Sequence, residues 1–144
     1  MLLDSQALFS DAQAVTTTAN SSNVVDAGPQ VGLIGQVGES FVFARIGTAF
    51  AGGTSLAVSL VTADDTALTT NLTTHFSTGP IVLASLTAKA LIMGNRIPPQ
   101  KLRRYMGLIY TVVGTMTAGT ITAGVVENLN SIQLTTDFVK QFTV

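Results

Sequence analysis

Apolar and polar residues alternate with a period of two along much of the chain, the signature of half-buried strands. The cleanest stretch is residues 56–61, where Leu56, Val58 and Leu60 stand against Ala57, Ser59 and Val61 before Asp64-Asp65 ends the run. Residues 41–46 set Phe41, Phe43 and Arg45 against Val42, Ala44 and Ile46, and Gly52-Gly53 closes that unit. A weaker, Gly-interrupted strand is expected over 31–37 after the Gly28-Pro29 turn, a Thr-rich one over 68–75, and an apolar run over 81–86. Residues 87–93 are compatible with strand or helix. Paired prolines make 95–100 a loop, because Pro98 and Pro99 remove two ladder donors. In the last third, Arg104, Met106, Leu108, Tyr110 and Val112 alternate with Tyr105, Gly107, Ile109, Thr111 and Val113, and 120–127 alternates again after Gly119, predicting a long β-hairpin.

The first 23 residues lack this period. Leu2, Leu3, Leu8 and Phe9 form an apolar start, Asp4 is placed to cap a short helix through Ala14, and the polar run 16–23 reads as a loop or arm. Residues 131–144 give a last short strand and a tail carrying Phe138 and Phe142. About eight short strands with turn residues between them predict an all-β fold, a β-sandwich of jelly-roll type. The expected organisation is an N-terminal arm over 1–23 and one β-sandwich domain over 24–144.

Composition narrows the chemistry. The 144 residues hold no Cys, no Trp and one His, and only 10% are charged. Thiolate metal sites and disulfides are excluded, so packing and backbone hydrogen bonds must stabilise the fold. With a net charge of −1 there is no basic excess to hold nucleic acid. The uncharged run 105–126 is long enough to span a bilayer, but its four glycines, five threonines and alternation fit strands, so no membrane partner is expected.

Few residues carry chemistry, and each has a plain structural use. His75 has no nucleophile elbow and no orienting group around it. Asp64-Asp65 lacks the six to eight oxygens that calcium requires and suits a turn. Gly32, Gly35 and Gly38 do not have the spacing of a phosphate loop. No catalytic residue, metal or cofactor is therefore expected. Arg96, Lys101, Arg103 and Arg104 place four of the seven basic side chains within nine residues, either as a solubilising rim or as a docking patch for an acidic protein. Together with Leu2, Leu3, Leu8, Phe9, Phe138 and Phe142 they are the candidate interface residues. Sugar stacking lacks material, with Tyr105 and Tyr110 alone and both in a strand.

Several blocks resemble the small jelly-roll cement, or decoration, proteins of tailed-bacteriophage capsids. They are the opening from Met1 to Thr16 with Ser22-Asn23-Val24-Val25-Asp26, the strand Leu56 to Asp65, the loop and strand Arg96 to Leu108, and the segment Tyr110 to Ala123. That resemblance implies a non-enzymatic virion protein on the outer capsid surface. Its partners would be the major capsid protein and further copies of itself, a dimer ahead of a trimer. A receptor- or glycan-binding module on a virion surface is the alternative.

Overall fold

In a computed structural model, residues 7–26, 41–97 and 102–126 form two antiparallel sheets packed face to face. The strands are β1 (Leu8–Ala14), β2 (Ala19–Asn20), β3 (Val25–Asp26), β4 (Phe41–Ile46), β5 (Ser55–Ala63), β6 (Thr73–Ser77), β7 (Ile81–Val82), β8 (Leu91–Arg96), β9 (Tyr105–Val113) and β10 (Thr120–Val126). The first sheet runs β1-β10-β4-β8. In the second, β9 and β5 are central, β2 and β3 pair with β9, and β6 and β7 with β5. Since β2 meets Tyr110 and Ile109 while β3 meets Met106 and Tyr105, the two act as one interrupted strand. Ser21 bridges the gap, its N–H donating to the Leu108 carbonyl and its hydroxyl accepting from the Leu108 N–H.

Alternation explains the core. Val42, Ala44 and Ile46 from β4, with Ile121 and Ala123 from β10, face Leu56, Val58 and Leu60 from β5 and Met106, Leu108 and Tyr110 from β9, and all are buried. Burial of each large apolar side chain is worth about 1.5–3 kcal/mol. Phe50, Leu86, Ile97, Leu102 and Met116 join the same core from the connecting segments. Phe43, on the opposite face of β4, is also buried.

Several expectations need correction. No helix runs through Ala14: Leu8–Ala14 is a strand paired with β10, and Phe9 is fully buried in the core. The arm boundary at 23 therefore does not separate an appendage from the sandwich, since β1 belongs to one sheet and β2 to the other. Two register shifts and a positive φ at Ala12 (47°) break the period of two and hid this strand. The hairpin is also replaced. Both strands form close to their expected bounds, but β9 lies in the second sheet and β10 in the first. Their connection crosses the end of the sandwich, where Met116 N–H donates to Thr16 O and Thr117 N–H to Ala51 O. Gly119 turns the chain at φ +139°, and a Cβ there would lie 2.3 Å from the Phe50 ring. Asn95 and Arg96, expected in a loop, end β8, whereas Pro98, Pro99 and Gln100 lie outside the described residues, as do the strands expected at 31–37 and 131–144. The apolar run at 81–86 is two residues of strand followed by a 3-10 turn, Leu83–Ser85.

Candidate interaction surface

The basic cluster of the sequence is divided by the fold. Arg103 Nη1 lies 3.0 Å from Asp64 Oδ2, and its Nε donates to Thr73 Oγ1 at 3.4 Å. Arg104 makes a two-pronged contact with Asp26, both arms at 3.0 Å, and its guanidinium lies 5.0 Å from the Tyr105 ring centre. These two forks are thus engaged by carboxylates of the same chain, in ion pairs that remain partly exposed. Arg96 lies apart at the end of β8, and Lys101 lies outside the described residues. Leu8 is half-buried, Phe9 is core, and Leu2, Leu3, Phe138 and Phe142 also lie outside the described residues.

Asp64 and Asp65 do turn chemistry. The Asp65 carboxylate accepts from the Thr69 hydroxyl at 2.6 Å and from the N–H groups of Thr69 and Thr70 at 2.8 Å. Those bonds, the hydroxyl first, hold its pKa below the ordinary carboxylate value. Asp64 is lowered as well, first by the Asn71 amide and then by Arg103. The loop they pin folds back over the outer face of the second sheet. Its Leu68 joins Val61 and Ala63, with Val24, Tyr105 and Ile109, in a small second apolar cluster. Gly107 makes room for it, since a Cβ there would lie 2.7 Å from Leu68 Cδ1.

His75 Nε2 lies 2.7 Å from Thr62 Oγ1, a pairing between neighbouring strands. Among the described residues no three His, Cys, Asp or Glu side chains are grouped to hold a metal ion, and no helix there is long and apolar enough to cross a membrane.

Away from Leu68, the paired rows on the outer face of the second sheet hold no charged residue, with Ser55 buried, Ala57, Ser59 and Ile109 half-buried, and Thr111, Val113 and Val82 exposed. The registers set Val113, Ser55 and Val82 in one row, Thr111 beside Ala57 in the next, and Ile109, Ser59 and Ser77 in a third. Val82 is 61% and Val113 52% exposed, the highest of the four most exposed large apolar side chains among the described residues. Sequence reading had separated Ala57, Ser59 and Val61 from the core positions of that strand. What it lacked was the pairing that lays Thr111 and Val113 beside them. A family model named Bbp16 matches residues 9–125. Comparison with curated proteins finds no match. Because the matched span runs from β1 into β10 and so includes both sheets, the chain belongs to the Bbp16 family.

Proposed function

We propose that this protein is a structural cement, or decoration, protein on the outer face of a tailed-phage icosahedral shell, where it binds the major capsid protein and stabilises contacts between neighbouring copies. The observation that carries this reading is the rigid, uncharged outer face of the second sheet, built on the nine-pair β5–β9 ladder. Ser, Thr, Ala and Val lose little rotamer freedom when covered, and no charge has to be stripped of water. Such a face gives modest attraction per copy at little entropic cost. Repetition over a symmetric shell, and a homo-oligomer with a dimer ahead of a trimer, turns modest contacts into avidity. The strand order supports the same reading: β1-β10-β4-β8 against β2/β3-β9-β5-β6, with the chain repeatedly changing sheets, is the order of two interleaved Greek keys. The sequence resemblance to phage cement proteins points the same way.

The test is localisation and rescue on purified particles. Shells lacking the protein should be less resistant to heat than complete ones, and added protein should bind their outside and restore that resistance. Protein found only at a fibre tip, or eluted from particles by a simple sugar, would favour the receptor- or glycan-binding alternative.

A further inference from the structure

Folding regroups the charges of this chain. Of the five basic side chains among the described residues, Arg103 and Arg104 are neutralised by Asp64 and Asp26. The other three, Arg45, Lys89 and Arg96, are far apart in sequence but meet along one edge of the first sheet. β8 is the outer strand there, and its register on β4 sets Leu91 opposite Arg45 and Arg96 opposite Phe41, all on the outer face. Lys89 is tied alongside: its N–H donates to Ile46 O, Ile46 N–H donates to Ala90 O, and Arg45 Nε donates to Lys89 O at 3.3 Å. Four residues of strand put Arg45 and Arg96 roughly 13 Å apart. Leu91, beside Arg45, is 38% exposed.

No acidic residue lies on β4, β8 or β10. Among the described residues, the nearest in the sheet order is Asp11 on β1, the opposite outer strand. Three cations without a carboxylate partner among the described residues, strung along one sheet edge with an exposed leucine at the Arg45 end, are complementary to a flat acidic surface with an apolar spot. Nucleic acid fits less well, because three cations in a chain of net charge −1 neutralise too few phosphates. Resting on the cement reading, we propose that the β8 edge, through Arg45, Lys89 and Arg96, docks on an acidic patch of the major capsid protein and sets the orientation in which the protein attaches.

The test compares wild type with the double variant K89E/R96E, which leaves the Arg45 bond to the Lys89 carbonyl in place. Both exposed side chains should be replaceable without loss of fold, checked by a cooperative thermal transition. Attachment to shells stripped of the protein should weaken about tenfold in the double variant, and wild-type attachment should fall as sodium chloride is raised. Immobilised poly-glutamate should likewise retain the wild type and not the variant, and duplex DNA should retain neither. Equal attachment of both proteins to shells, independent of salt, overturns the basic edge while leaving the cement reading standing. Failure of the wild type to bind shells at all sinks the cement reading, with poly-glutamate retention still deciding whether this edge takes acidic partners. Charge-dependent retention on DNA stronger than on poly-glutamate assigns the edge to nucleic acid and overturns the proposal.

Discussion

At the scale of single residues, Tyr110 shows how one polar atom is accommodated in an apolar core. Its hydroxyl lies 2.7 Å from Ser10 Oγ, and Ser10 donates in turn to Gln13 Oε1 at 2.6 Å, so the phenol ties the second sheet to the first. Burial pushes the Tyr110 pKa up to about 12 from an ordinary value of 10.0. The stabilisation linked to the protonated phenol is therefore complete below pH 10 and is lost as pH rises from there to 12, on the order of a few kcal/mol. Denaturant unfolding as a function of pH should show that decline, and Tyr110→Phe should abolish it while costing ~1–2 kcal/mol at neutral pH through the lost bond to Ser10. Gly107 is the second instructive position. Gly107→Ala should destabilise by about 1–3 kcal/mol through collision with Leu68, and part of that should return in a Gly107→Ala, Leu68→Ala double variant, measured as a coupling in unfolding free energy.

Among elements, β1 is the strand whose removal separates the sandwich from an arm. Were residues 1–23 an appendage, deleting 1–20 would leave a folded domain. Because β1 closes one side of β10 and brings Phe9 into the core, that deletion should abolish the cooperative thermal transition, and Phe9→Ala alone should cost ~3–5 kcal/mol. The loop at 64–72 behaves differently. Its carboxylates have lowered pKa values, so their contribution to stability is present above the ordinary carboxylate range and fades as pH falls through their folded values. Hydrogen-exchange protection at Thr69 and Thr70, relative to the intrinsic rate at each pH, should fall at acid pH before the strands respond, and Asp65→Ala should cause the same loss of protection at neutral pH.

For the whole molecule, the uncharged face and the basic edge belong to different sheets, so under the proposed cement role their contributions to attachment should be separable. Val82→Asp with Val113→Asp places charges on exposed positions and should leave the thermal midpoint nearly unchanged, while binding to shells falls at every salt concentration. A loss at low salt only would instead mark this face as peripheral to the contact. Retention of full binding would remove the observation on which the cement reading rests.

The sequence by itself determined that this chain is built of strands, because β-branched and apolar residues at every second position can satisfy the backbone and bury a face only in sheets. It also located β4, β5, β9 and β10 within a residue or two, and assigned Asp64-Asp65 to turn formation. Strand partners were beyond its reach. A period of two says which face of a strand is buried and nothing about which strand lies beside it, so β9 and β10 read as a hairpin although they belong to opposite sheets. Bulges hid β1 for the same local reason, since a register shift moves successive side chains to the wrong face of a simple alternation. Charges obeyed neither order nor spacing. Neighbours in sequence, Arg103 and Arg104, turned to distant carboxylates, while Arg45, Lys89 and Arg96 were gathered by the pairing of β8 with β4. Long-range hydrogen-bond register, a property of the assembled sheets alone, decided which surface this protein presents.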